Sequence, residues 1–163
     1  MNQPIETYGS SMRSLAEWVA ELEADDRHPR VDIVVGTAIF WACSLDEALR
    51  DRHSNYTKLA AESPTGLVML GLRFARDAVT HGFVLCAGQR GIEWPMRYPI
   101  DYGPNVWTQS DRILSRWEPR GKANNEGGAQ LSAYRQHVER RPAGEPLRAA
   151  LSWLEEWRSV SAV

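Results

Sequence analysis

The segment Arg76-Asp77-Ala78-Val79-Thr80-His81 sets an arginine and a histidine five residues apart near the end of an apolar stretch. A histidine moves protons near neutral pH, and an arginine fork clamps a phosphate oxygen as charge builds on it. Together they are a minimal kit for phosphodiester chemistry. On a straight helix the two lie about 140° and roughly 7.5 Å apart, so convergence needs the helix to end, and Gly82 is placed to end it. A plainer reading stands beside this one. Arg73, Asp77 and His81 follow at i, i+4 and i+8, which makes Arg73–Asp77 a surface ion pair and His81 a cation facing the helix C-terminal dipole.

Other chemistries find little support. Four histidines and two cysteines show neither paired C-x-x-C nor H-E-x-x-H spacing, so no metal site is expected. There is no G-x-x-x-x-G-K-[ST] loop and no G-x-G-x-x-G, and Gly88-Gln89-Arg90-Gly91 reads as a turn, so no nucleotide cofactor is expected. No G-x-S-x-G elbow occurs.

The elements that must position the motif are helical. Leu15, Trp18, Val19 and Leu22, with Ser14 and Glu17 at capping-box spacing, predict a helix over 11–25. Val34, Val35, Ala38, Ile39, Ala42, Leu45 and Leu49 predict a central second helix over 31–53, with Trp41 widening its apolar face. Ser63-Pro64-Thr65 caps a third that carries Leu67, Leu70, Phe74 and the motif, and ends at Gly82. A fourth, about 128–140, bears Leu131, Tyr134 and Val138. A fifth opens at Pro146 and bears Leu147, Ala150, Leu151, Leu154 and Trp157. Residues 83–125 form an irregular insertion broken by Pro95, Pro99, Pro104 and Pro119, with room for a short hairpin around Ile92–Trp107 and a helical turn over Asp111–Trp117. Residues 121–128 read as mobile. The expected fold is all-α, an antiparallel four- to five-helix bundle in one domain spanning 1–163, with its third-to-fourth connection enlarged.

Within that bundle Asp46 and Glu47 of the second helix reach toward the motif. Glu47 and Arg73 are its candidate supporting residues, although Asp46–Arg50 is also an ordinary i, i+4 pair. In the insertion Arg90, Arg97, Arg112, Arg116 and Arg120 interleave with Trp94, Tyr98, Tyr102, Trp107 and Trp117. That mixture suits base stacking and phosphate contact, with Arg90, Trp94, Arg97, Tyr98 and Arg116 as candidate RNA contacts. The alternative is a satellite core of aromatics fringed by solvated arginines.

Composition bounds the remainder. The chain has 163 residues, 43% hydrophobic and 25% charged, with net charge −2, which is ordinary globular usage. The longest apolar run, Ile33 to Cys43, is far short of the roughly 20 residues needed to span a bilayer. The start shows no basic and apolar leader, so a cytoplasmic protein with no membrane partner is expected, its Cys43 and Cys86 reduced and buried. Charge is uneven: residues 1–62 hold 6 basic and 11 acidic side chains, and 63–163 hold 13 and 10, so a polyanion should prefer the second part.

The motif resembles the Arg-polar-x-x-x-His signature of the HEPN superfamily (higher eukaryotes and prokaryotes nucleotide-binding domain), small helical bundles that include metal-independent ribonucleases of toxin–antitoxin and phage-defence systems. The resemblance implies His81 as general acid or base for attack of a ribose 2′-hydroxyl, Arg76 as stabiliser of the charged transition state, and Asp77 as the polar residue that orients them. It also implies a homodimer whose two motifs share one cleft, with RNA as substrate and an antitoxin or regulatory protein as a further partner. One toxin branch continues His-x-Tyr, where a partner modifies the tyrosine; this chain has His81-Gly82-Phe83, so that mode of neutralisation is not expected. Two readings of other classes stand beside it. One is a non-catalytic bundle binding a protein or nucleic acid through the 83–125 insertion. The other is a sensor with a small ligand between the second and third helices.

Overall fold

The computed structural model describes residues 3–25, 30–80, 86–87, 105–116 and 125–160. Their elements, in order, are α1 (Gln3–Ala24), α2 (Val31–Arg52), α3 (Tyr56–Glu62), α4 (Pro64–Thr80), β1 (Cys86–Ala87), β2 (Val106–Trp107), α5 (Ser110–Leu114), α6 (Asn125–His137) and α7 (Gly144–Val160). The fold is an all-α bundle. Helix α4 packs against α2, α3, α6 and α7, while α1 packs on α2 and α7. Among the described residues no helix is long and apolar enough to cross a membrane.

The predicted apolar stripes are the core. Leu15, Val19 and Leu22 of α1, Val35, Ala38, Ile39, Ala42 and Leu49 of α2, and Leu147, Ala150 and Leu154 of α7 are all fully or nearly fully buried. Helix α1 starts earlier than the predicted 11–25, because apolar periodicity registers a helix only where it is buried, and the stripe begins at Met12. The start of α4 is as expected. Ser63 is extended, its Oγ accepts the Gly66 N–H at 3.5 Å, and Pro64 sits in the first turn, where its missing N–H leaves no bond unmade.

Helix α3 was not foreseen. At seven residues it offers periodicity only two buried positions, Tyr56 and Ala60. It lies so close on α4 that a Cβ at Gly66 would stand 2.4 Å from the Ala60 carbonyl oxygen. A second close approach is at Gly71, where a Cβ would meet the Val138 methyl at 2.9 Å and the Tyr134 backbone at 3.0 Å. These two glycines let α3 and α6 press onto α4.

The insertion is partly ordered as core. Strands β1 and β2 pair antiparallel, with Cys86 opposite Trp107 and Ala87 opposite Val106; only β2 falls within the expected Ile92–Trp107 hairpin region, whose residues 92–104 lie outside the described residues. On its other side β2 bonds the turn after α6: Trp107 N–H donates to Arg141 O at 3.0 Å, and Arg140 N–H to Trp107 O at 3.0 Å. Arg140 holds a left-handed φ of 63° in that turn. The Trp107 indole is buried, donates to Ala143 O at 3.1 Å and meets Tyr134 edge-on. It belongs to the main hydrophobic core of the bundle, so it presents no ring for stacking. The expected mobile run 121–128 needs a similar correction. From Asn125 onward it is the first turn of α6, and Gly128 has open space where a Cβ would project, so a glycine there interrupts no packing. Residues 121–124 lie outside the described residues.

Candidate functional site

Helices α2 and α4 pack against each other. Gly36 lies beside Val79, the Cys43 thiol reaches Leu72 O at 3.7 Å, and Asp46 meets Arg73, so the two helices share a seam along this stretch. Two arginines one turn apart on α4 thereby face two consecutive carboxylates on α2.

The inner pair is closed off from solvent. Arg73 donates from Nε to Asp46 Oδ2 at 2.8 Å and from Nη2 to Oδ1 at 3.0 Å, a two-point fork on a carboxylate that is 0% exposed. The Tyr56 hydroxyl donates to Asp46 Oδ1 at 2.7 Å and accepts the Trp153 indole N–H at 2.7 Å. Tyr56, Trp153 and Trp157 lie ring against ring, with His53 on Trp157. Burial raises the Tyr56 hydroxyl well above its usual range, and the Asp46 charge adds to this. Burial alone would lower the Arg73 guanidinium, but the hydrogen bond and charge of Asp46 outweigh it and hold the group above its ordinary value.

The outer pair is different. Arg76 donates from Nη1 to Glu47 Oε1 at 2.6 Å, and its Nη2 lies 3.5 Å from Asp77 Oδ1, at the limit of a hydrogen bond. Its side chain is 28% exposed, and those of Glu47 and Asp77 are 45% and 46%. Burial would lower this guanidinium too, but the hydrogen bond to Glu47 and the neighbouring charges hold it above its ordinary value. Behind both pairs, Cys43 is fully buried and free, its thiol pushed up by burial.

The structure therefore brings Arg76, Asp77 and Glu47 together at the surface of the α2–α4 seam. Arg73 is placed inside the core, paired with Asp46 and not with Asp77, so the surface-pair reading of Arg73–Asp77 is corrected. Asp46 likewise turns inward to Arg73 and Tyr56, and not along its own helix to Arg50. Arg116 is exposed in the turn after α5. His81, Arg90, Trp94, Arg97 and Tyr98 lie outside the described residues. The buried partnership of Asp46, Tyr56 and Trp153 was not read from the sequence, although a signal existed. Asp46 falls on the apolar stripe itself, at i, i+3, i+4 and i+7 from Ile39, Ala42 and Cys43, where a carboxylate demands a buried partner.

Chemically, the outer pair offers one guanidinium at a surface seam, partly desolvated and flanked by two carboxylates. It can bind an oxyanion or hold its neighbours in place. No group of three potential metal ligands occurs among the described residues. No protein-family model, curated protein or solved structure matches the chain.

Proposed function

We propose that the protein is a HEPN-like, metal-independent endoribonuclease of a toxin–antitoxin or phage-defence system, acting in the cytoplasm. The observation that carries this reading is the position of Arg76. It is a partly exposed arginine near the end of α4 in an all-α bundle, five residues before His81, and its fork lies at a surface where a phosphate can arrive. In the proposed reaction the ribose 2′-hydroxyl oxygen attacks the adjacent phosphorus and His81 removes its proton. Arg76 stabilises the added charge on the phosphoryl oxygens, and the bond to the 5′-oxygen breaks as that oxygen takes up a proton. The products are a 2′,3′-cyclic phosphate and a 5′-hydroxyl. Asp77 orients Arg76.

The site is completed by a second copy. Ile33 and Phe40, each 56% exposed and two turns apart on the outer face of α2, lie on the helix that also bears Glu47 and offer that copy an apolar contact. An antitoxin or regulatory protein is a further partner. Cleavage of total RNA in EDTA by wild type, Arg76→Ala and His81→Ala, with analysis of product ends, tests the reading. Cyclic-phosphate ends that vanish in both variants are the expected result, and an inert, folded, dimeric wild type counts against it.

A second reading has its own observation. Arg76 already serves two carboxylates, as it would in a partner-binding bundle that has no use for a free phosphate clamp. Wild-type protein that binds a partner through this seam while leaving RNA intact would favour it.

A further inference from the structure

We infer that the Glu47 carboxylate occupies the phosphate position on Arg76, so that an incoming anion binds by displacing it and Glu47 sets the affinity of the site. This rests on the reading of Arg76 as the phosphate-binding group. The argument begins with the two carboxylates of α2. Asp46 takes a two-point fork and a tyrosine hydroxyl while fully buried, so nothing can replace it without opening the core. Glu47, the next residue, has a single contact with Nη1 of Arg76, at 2.6 Å, and almost half of its side chain faces solvent.

A carboxylate and a phosphate oxygen ask the same of a guanidinium, namely in-plane N–H donors at short range. Glu47 meets that demand from the exposed side, the side from which a ligand must come, because the inner side is filled by Cys43 and the Arg73–Asp46 pair. Its side chain, 45% exposed, can swing outward into water when displaced. Charge favours the exchange. Glu47 and Asp77 together overbalance Arg76, so a phosphodiester approaching while both remain would meet net negative charge, and moving Glu47 aside restores neutrality. Asp77, at 3.5 Å and on the same helix, is the poorer competitor.

The test uses the full chain with 15N-labelled arginine, following the Arg76 side-chain N–H resonances during titration with inorganic phosphate. A dinucleotide lacking the 2′-hydroxyl, which cannot be cleaved by the proposed route, serves as a second probe. Glu47→Gln and Glu47→Ala should each bind phosphate about 5-fold more tightly than wild type, which corresponds to about 1 kcal/mol. Glu47→Asp, with the charge kept but drawn back, should fall between, and Arg76→Ala should abolish the response. Glu47→Gln that binds equally or more weakly overturns the inference, because a carboxylate that merely positions Arg76 would strengthen binding. No binding by any variant also overturns it.

RNA cleavage measured in parallel separates the two ideas. If Glu47→Gln tightens phosphate binding while wild type leaves RNA intact, the anion site stands and the ribonuclease reading fails. If wild type cleaves and neither the phosphate affinity nor KM moves in Glu47→Gln, the reaction stands and the role of Glu47 fails.

Discussion

Arg73 and Arg76 sit one turn apart on the same helix, each facing a carboxylate of α2, yet they belong to different parts of the molecule. The Arg73–Asp46 pair is sealed among Tyr56, Trp153 and Cys43, held by two bonds and supported by a third. The Arg76–Glu47 pair rests on one bond at the surface. One turn of helix separates a charge pair that the fold depends on from one that a ligand can exchange. The chemistry of the pair does not decide between these roles; the depth at which it sits does, because water competes for the outer pair and is excluded from the inner.

The largest test of the contrast is removal of one inner partner. Asp46→Ala strands a buried guanidinium and should destabilise the protein by about 3–5 kcal/mol in urea unfolding, while the double replacement Asp46→Leu with Arg73→Met recovers most of that loss. A small effect of Asp46→Ala would mean that water reaches Arg73, and the distinction between inner and outer would collapse. Arg76→Ala is the counterpart: RNA cleavage should fall by about 100-fold or more, with stability changed by less than about 1 kcal/mol. Should it unfold the protein as Asp46→Ala does, Arg76 would be a structural residue.

Tyr56→Phe sharpens the description of the inner pair. It takes one donor from Asp46 and leaves the Trp153 N–H without its acceptor, a loss of about 1–3 kcal/mol. It should also change the alkaline limb of stability. Tyr56 and Cys43 hold their protons more tightly in the folded chain than their ordinary values of 10.0 and 9.0, so the unfolded chain gives them up first as pH rises. Stability is full below about pH 9 and declines above it through Cys43, and above about pH 10 through Tyr56 as well, by about 1.4 kcal/mol per pH unit for each group. Urea midpoints taken from pH 8 to 11 should fall less steeply in Tyr56→Phe. The smallest effect is expected for Asp77→Asn, whose long contact with Arg76 should change the stability midpoint by less than about 0.5 kcal/mol.

Much of this was legible in the chain because helices write their buried faces at a fixed period. Leu15, Val19 and Leu22, the long stripe of α2, and Leu147 to Leu154 all fall where that period puts them. Helix α3 escaped because two buried residues make no period, and its place is set by how closely it lies on Gly66. The seam was half legible. Glu47 could be placed near Arg76 from the packing of neighbouring helices, but the partner of Arg73 could not. Local spacing offers Asp77 to Arg73 and Arg50 to Asp46, and only the packed core shows that both residues turn inward to each other instead. For Trp107 the sequence leaves two readings open, stacking surface or buried aromatic, and what decides for the second is that the strand carrying it bonds the turn after α6.

The chain of bonds from Trp153 through Tyr56 and Asp46 to Arg73 has one member on each of α7, α3, α2 and α4. A bundle held by apolar faces alone can tolerate one helix arriving late, since a missing neighbour only leaves greasy surface wet. Here a missing helix leaves a charge or a hydroxyl without its partner in a dry interior, so partly assembled bundles are penalised out of proportion to the contacts they lack. The consequence is cooperativity: these four helices should gain and lose their structure in one step, with tryptophan fluorescence and far-ultraviolet circular dichroism tracing the same transition.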